Sequence, residues 1–266
     1  MTGEAPDLFQ ERASSFGSAA KEYDLFRPGP APVVVDWLLP AGAQCVVDLG
    51  AGTGALTRLL VGRAPQVIAV EPDNRMREVL AANLPGVPVL EGRGDAMPLG
   101  DASADAVLVS SAWHWMDSDG TVLEVARVLR AGGIFGVVWA GIDWTGSWFA
   151  EMRERVFAAG GDDAVTLAPL VAGEVPRPDR MLRLPDEAPF TPPESGLLHW
   201  TQDMSADQLV GMLATFSGVI LLPLEQRRRV ADEARRLLRE HGGLEGSATV
   251  ELPFRAECWR AVRTGG

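Results

Sequence analysis

Between residues 44 and 140, short apolar runs rich in β-branched residues alternate with segments of helical period. QCVVDLG is such a run, ended by glycine, and predicts a buried strand. ALTRLLVGR (55–63) predicts a helix. QVIAVEP is a second strand, stopped by Pro72. DNRMREVLAANLPG is a second helix, with Asp73 as N-cap and Pro85-Gly86 as its stop. VPVLEG and ADAVLVSSA read as the third and fourth strands, DSDGTVLEVARVLRAGG as a helix with a glycine stop, and IFGVVWA as the fifth strand. Strands and helices alternating at this spacing leave few options. They build right-handed βαβ units and a parallel sheet, an α/β fold. Such sheets bind ligands beyond the carboxyl ends of their strands, so the residues just after each strand are the ones to examine.

The pattern weakens from 141 to about 195, where one helix (IDWTGSWFAEMRERVFAAGG) is followed by prolines at 169, 176, 178, 185, 189, 192 and 193. This segment is expected to vary and to lie over the strand ends. SGLLHWTQDMS then predicts a strand and SADQLVGMLATFSG a helix capped by Ser205. PLEQRRRVADEARRLLREHGG is amphipathic, with Leu224, Val230, Ala231, Ala234, Leu237 and Leu238 on one face. TVELPFRAECWRAVR closes the chain as a strand.

The 36 acidic residues outweigh the 24 basic ones, giving a net charge of -12 over 266 residues. Broad nucleic-acid or anionic-membrane binding needs clustered Lys and Arg, so neither partner is expected. The two cysteines, Cys45 and Cys258, have no metal-ligand or disulfide-framework spacing. The N-terminus carries acids where a signal peptide would be basic, and no apolar run approaches the ~18 residues of a membrane span. A cytoplasmic protein is expected.

The turn after the first strand, DLGAGTGAL, looks made for a nucleotide. Gly50, Gly52 and Ala55 satisfy the dinucleotide pattern G-x-G-x-x-G/A. Yet Asp48 stands two residues before the first glycine. A pyrophosphate favours backbone N–H groups and is repelled by a nearby carboxylate. S-adenosylmethionine brings an ammonium, a carboxylate and a sulfonium, and no phosphate. The glycines still let the backbone approach closely, and Asp48 can face the ammonium or hold the loop that does. Glu71, ending the second strand, can accept both ribose hydroxyls of either ligand. Asp95, just past the third strand, suits an adenine amino group, and the Ala96 N–H a ring nitrogen.

VVDLGAGTG, VIAVEP, GDAMPLGDASADAV and VLRAGG, in that order, resemble the class I S-adenosylmethionine-dependent methyltransferases with a methyltransferase type 11 domain. FGSAAKEYDLFRPGPAPVVVDWL, SAWHWMD, LATFSG and LPFRAECWRAVR are similar to the trans-aconitate-methyltransferase-like group of small-molecule enzymes. The resemblance implies a Rossmann-like doubly wound seven-stranded sheet of order 3-2-1-4-5-7-6, with strand seven antiparallel. It implies a single domain over 1–266. An N-terminal helical lid (1–35) precedes a cofactor-binding core (36–140), a substrate-side insertion with helices (141–220), and a C-terminal helix and final strand (221–266). Gly50, Ala51 and Gly52 would line the methionine end of the cofactor. Glu71 and Pro72 would meet the ribose, and Asp95, Ala96 and Met76 the adenine. Ser110 would lie near the methionine moiety. Tyr23 and Arg27 would close over the cofactor, Arg27 pairing with its carboxylate.

Methyl transfer is an in-line displacement at a carbon already activated by the sulfonium, and positioning alone supplies on the order of 7–11 kcal/mol. No metal is required. His114, following the fourth strand, is the candidate base and acceptor contact; His199 and His241 read as structural or surface residues. Trp113, Trp115, Trp139 and Trp144 gather near the ends of strands four and five, where aromatic faces can shape an acceptor pocket or face a sulfonium. Core packing is the alternative for each of them. The leading reading is methyl transfer to a small-molecule acceptor at oxygen, a carboxylate among the options, by a monomer or homodimer. The rivals are a nicotinamide-dependent oxidoreductase and a non-methylating S-adenosylmethionine-binding protein.

Overall fold

The structure, a computed structural model, describes residues 20–145, 147–161, 181–242 and 244–265. The side chains of Tyr23, Ser147, Trp148, Phe149, Ser217 and Gly242 lie outside that description. Seven strands form one sheet in the order β3-β2-β1-β4-β5-β7-β6. They are β1 (Cys45–Leu49), β2 (Gln66–Val70), β3 (Val89–Leu90), β4 (Ala104–Ser110), β5 (Leu129–Ile142), β6 (Glu194–Ser205) and β7 (Thr249–Val262). This is the order that the resemblance implied. β1 is buried at every position, as a continuous apolar run requires when helices cover both faces of a parallel sheet. It pairs in parallel with β2 on one side and β4 on the other. The chain therefore winds outward to β3 and returns to β4, so the strand order reverses between β1 and β4. That reversal opens a crevice at their carboxyl ends.

β7 runs against its neighbour. The Gly132 and Arg263 amides donate to the carbonyls of Arg263 and Gly133, at 2.8 Å each. Further along β5, the Asp143 amide donates to the Pro253 carbonyl, also at 2.8 Å. As β5 advances β7 recedes, which is the antiparallel arrangement.

The helices are α1 (Ala20–Phe26), α2 (Pro32–Leu38), α3 (Thr57–Leu60), α4 (Asn74–Asn83), α5 (Ser118–Val128), α6 (Ser147–Ala159), α7 (Ala206–Ala214), α8 (Ser217–Ile220) and α9 (Leu224–Gly242). Asp73 caps α4 by accepting from the Arg75 amide at 2.8 Å, as its position predicted. Ser205 and Gln208 form a reciprocal capping box at the start of α7. Several boundaries differ from the sequence expectation. The helix expected over 55–63 has only four helical residues, with turns on both sides. β3 has only two residues. α5 stops at Val128 rather than at the glycines, because Leu129 already pairs in register with Ala104 of β4 and is fully buried. Gly132, at φ 81°, then serves the last strand rather than the helix end.

The chain divides into two compact units, neither of them contiguous. The first, the sheet unit, holds the described residues among 28–141, 181–199 and 255–265. Its core joins Val47, Leu49, Val107, Val109, Phe135 and Val137 from the strands to Val122, Val125 and Val128 from α5. The second, the helical unit, holds the described residues among 20–27, 142–161 and 200–254. There Met152, Val156 and Phe157 of α6 pack with Leu209 and Leu213 of α7 and Leu237 and Leu238 of α9. α1 rests closely on α7: a Cβ added at Gly211 would lie 2.3 Å from Phe26 Cδ1.

Candidate functional site

The carboxyl ends of β1, β2, β3 and β4, all in the sheet unit, bring together Asp48, Gly50, Ala51, Gly52, Glu71, Pro72, Asp95, Ala96 and Ser110. The turn after β1 is built from left-handed glycines, with φ 69° at Gly50 and 57° at Gly52. A side chain at Gly50 would be doubly excluded, because its Cβ would stand 2.7 Å from Ala112 Cβ and 2.9 Å from Met116 Cε. Gly52 faces open space instead, with nothing within 4 Å of an added Cβ. The one glycine admits a close neighbour, and the other leaves room for a ligand.

Asp48 is fully buried beneath this turn. Its Oδ2 accepts from Thr57 Oγ1 at 2.6 Å, tying β1 to the first residue of α3. Its Oδ1 has no hydrogen-bond partner among the described residues. Burial pushes its pKa up to about 7; the Thr57 hydroxyl opposes that shift, and the Glu71 carboxylate adds to it. Of the two roles open to Asp48 in the sequence, holding the loop is the one that this burial favours.

Glu71 is 8 % exposed at the end of β2. Oε2 accepts from the Gly52 amide and Oε1 from the Asp73 amide, both at 2.9 Å. Burial raises its pKa, and the same two amides oppose the rise. Each oxygen keeps a lone pair for a diol hydroxyl. Arg77 fixes the backbone behind it: Nη1 donates to the Glu71 and Pro72 carbonyls, at 2.9 and 2.7 Å, and Nη2 to Glu91 at 2.8 Å. Met76, in the first turn of α4, is 5 % exposed. Asp95 pairs with Arg93 at 3.0 Å, which holds its carboxyl below the usual range. The Ala96 amide departs from expectation. It donates to the Arg93 carbonyl at 3.1 Å, closing a local turn, and is not turned out for a ring nitrogen.

The chain leaves β4 through Ser111, a non-glycine residue at φ 55°, and enters a 3-10 turn of Trp113–Trp115. The four tryptophans named in the sequence separate here. Trp113 is 4 % exposed and packs edge-on against Phe135, their centroids 5.5 Å apart, so it belongs to the core. Trp144 lies in the helical unit at 2 % exposure, packed with Met152, Val156 and Phe157. That burial matches the core-packing alternative given for each tryptophan. Trp115 and Trp139 stay with His114, whose ring centroid is 4.4 Å from that of Trp115 and 6.3 Å from that of Trp139. Trp139 leans edge-on against Trp259 at 5.7 Å.

Arg27 belongs to the helical unit, where Nε donates to Thr215 Oγ1 at 3.0 Å and the guanidinium lies 4.4 Å over the Phe216 ring. This gives Thr215, a residue without a role in the sequence, a definite partner. The helix carrying Tyr23 is in the same unit, and the Tyr23 side chain lies outside the described residues. Sequence reasoning also missed Thr57, Arg77 and Thr121. The first two act through side-chain contacts that no periodicity encodes; Thr121 is fully buried, with a hydroxyl unpaired among the described residues.

The residues present fit S-adenosylmethionine better than a dinucleotide. Two buried carboxylates flank the glycine turn, one with an orphaned oxygen, and a pyrophosphate placed there would meet both. Comparison with known proteins points the same way. A family model described as a methyltransferase domain matches residues 47–137. The chain is 40% identical to an uncharacterized methyltransferase of Mycobacterium tuberculosis over 253 residues, 95% of this chain and 97% of that one. It is 34% identical over 131 residues to the malonyl-[acyl-carrier protein] O-methyltransferase of Methylococcus capsulatus, covering 45% of this chain and 47% of the other. Among solved structures, a protein of Anaeromyxobacter dehalogenans assigned as a type II methyltransferase shares the fold. Its TM-score is 0.65 at 23% identity, over 90% of this chain and 98% of that one.

Proposed function

The chain belongs to the class I S-adenosylmethionine-dependent methyltransferases, and on that premise we propose that it methylates a small molecule at oxygen, with a carboxylate as the favoured target. S-adenosylmethionine supplies a methyl group on a positively charged sulfur, ready for displacement. The chain's part is to hold the donor, aim the acceptor and keep water out.

The observation that carries the oxygen reading is the His114 group. The 3-10 turn after β4 sets the His114 imidazole near the Trp115 ring and the Trp139 ring of β5, with no carboxylate in the turn itself. A carboxylate acceptor arrives ionised and needs only orientation against these faces. A phenol acceptor would pass its proton to His114. In either case an oxygen lone pair forms the new C–O bond as the C–S bond breaks, and its electron pair leaves with the sulfur. The O-methyltransferase relative supports the same atom. The acidic chain, at -12, disfavours a polyanionic acceptor. A cytoplasmic location fits its two buried free thiols, Cys45 and Cys258.

For the donor, we assign the ribose diol to Glu71, whose oxygens are already aimed by the Gly52 and Asp73 amides. Gly50, Ala51 and Gly52 form the floor of the methionine end, with Asp48 fixing them from below. Ser110 borders that end, Met76 and Pro72 line the adenosine, and the Asp95 carboxylate faces the adenine amino group. An acceptor screen read by S-adenosylhomocysteine release tests this assignment, using carboxylic acids, phenols and amines. Turnover of acids or phenols supports it. Turnover of amines alone overturns the choice of oxygen, and tight donor binding without turnover of any acceptor makes the chain a non-methylating binder.

A further inference from the structure

Methyl transfer takes a positive charge off the donor. S-adenosylmethionine carries an ammonium, a carboxylate and a sulfonium, and is a cation overall. S-adenosylhomocysteine keeps only the first two and is neutral overall. A site that senses this difference tells the donor from the spent product. Two buried carboxylates, Asp48 and Glu71, stand at the glycine turn. Each Glu71 oxygen accepts from an amide. Asp48 is less well served. Its Oδ2 accepts from Thr57 Oγ1 at 2.6 Å, while Oδ1 is buried with no partner among the described residues. A buried polar atom left in that state is costly and asks for a use.

The groups around Asp48 decide which form it holds. Glu71, at the end of β2, is an ionisable neighbour and opposes a second negative charge. Thr57 of α3 favours the ionised form through its hydroxyl. The register partners of Asp48, Ala69 on β2 and Leu108 on β4, carry no charge. Arg58, the charged residue of α3, is exposed. Asp105 of β4 lies at the other end of β1, where it accepts from the Gln44 and Cys45 amides at 2.8 and 2.9 Å. Burial therefore dominates and pushes the Asp48 carboxyl up to about 7. The glycine turn begins two residues further on, within ~7 Å along the chain. A cation seated on that turn acts on the carboxyl through a wall of low dielectric, and needs no contact to do so.

We infer that Asp48 reads the charge of the ligand on the glycine turn, and so determines the preference of the site for S-adenosylmethionine over S-adenosylhomocysteine. Its proton passes to water when the donor brings the sulfonium, and one returns from water once the sulfonium has become a neutral thioether. The ionised carboxylate then favours the charged donor, and the protonated form lets the neutral product go. Asp48 meets neither the methyl group nor the acceptor; it acts through the turn. The inference rests on the donor assignment proposed above and gives the orphaned oxygen a use within it.

The test is a calorimetric titration of the whole protein between pH 6 and pH 8, in two buffers of different ionisation enthalpy. Sinefungin, which has an ammonium where the donor has its methylated sulfur, is the stable cationic probe. S-adenosylhomocysteine is the neutral one. A carboxyl that titrates near 7 is about one-tenth ionised at pH 6 and about nine-tenths at pH 8. Sinefungin affinity should rise about five- to tenfold over that range, with proton release at pH 6, and S-adenosylhomocysteine affinity should stay within about twofold. Asp48→Asn should flatten the sinefungin rise. An imidazole near the ligand gives a rise of the same sign, so His114→Ala is measured alongside and should keep it. Thr57→Val removes a hydroxyl that favours the ionised form and should move the rise to higher pH; it decides the matter if the Asp48 variant does not fold. The inference fails if both ligands bind the parent with the same pH dependence, if Asp48→Asn keeps the rise, or if Thr57→Val leaves its midpoint in place. In each case retained binding shows that the donor site stands. Failure of both ligands to bind the parent at every pH would overturn the donor assignment itself, and the inference with it.

Discussion

Replacing Asp48 with asparagine should change how the stability of the ligand-free protein depends on pH. The carboxyl titrates near 7 in the folded chain against an ordinary 3.8. Between those values the folded state holds a proton that the unfolded state has lost. Stability therefore falls as pH rises through that window. With these two values the group costs on the order of 2 kcal/mol at pH 5 and on the order of 4 kcal/mol at pH 8. Asparagine keeps an oxygen for the Thr57 hydroxyl but never ionises. It places an amide NH2 where Oδ1 has no partner among the described residues, a cost of about 1–3 kcal/mol that is the same at both pH values. Urea unfolding of parent and Asp48→Asn at pH 5 and pH 8 isolates the difference, because most other titrations cancel between the two proteins. The variant should gain about 2–3 kcal/mol on its parent between the two pH values. A constant stability difference would show that Asp48 ionises normally in the folded chain and that its burial has been misread.

Glu71→Ala removes both the diol acceptor and the anchor of the Gly52 amide, and should weaken S-adenosylmethionine by ~1–3 kcal/mol in a calorimetric titration; unchanged affinity would place the ribose elsewhere. His114→Ala should lower turnover while holding donor affinity within a few-fold, and unaltered turnover would remove the imidazole from the chemistry. Gly50→Ala combines a left-handed backbone with a 2.7 Å clash against Ala112. It should cost at least ~1–3 kcal/mol of stability by thermal unfolding and abolish donor binding; a variant that binds normally would mean that the turn is far more pliable than drawn.

The sheet was legible in the sequence because burial on both faces writes a strand as an unbroken apolar run, and glycine and proline mark where each run stops. Asp73 and Ser205 were legible as caps for a similarly local reason. The features that were not legible depended on individual contacts that no periodicity encodes. Nothing near Trp144 in the sequence tells that it is 2 % exposed. Nothing in GRGDAM tells that the Ala96 amide turns back to Arg93. The Thr57 hydroxyl bonds Asp48 across nine residues, and Thr215 meets Arg27 across 188. Contacts of that kind arise only once tertiary packing has placed the partners.

A Cβ on Gly50 would clash with Ala112 and Met116, which flank the turn that carries His114, and this proximity sets a rule for anyone redesigning the enzyme. On the proposed assignment, the segment that meets the acceptor doubles as a wall of the donor's seat. Grafting a bulkier acceptor turn after β4 would push on the glycine hinge and erode donor affinity as a side effect. Exchanges that keep position 112 small and an unbranched side chain at 116 should let new acceptors be explored without that penalty.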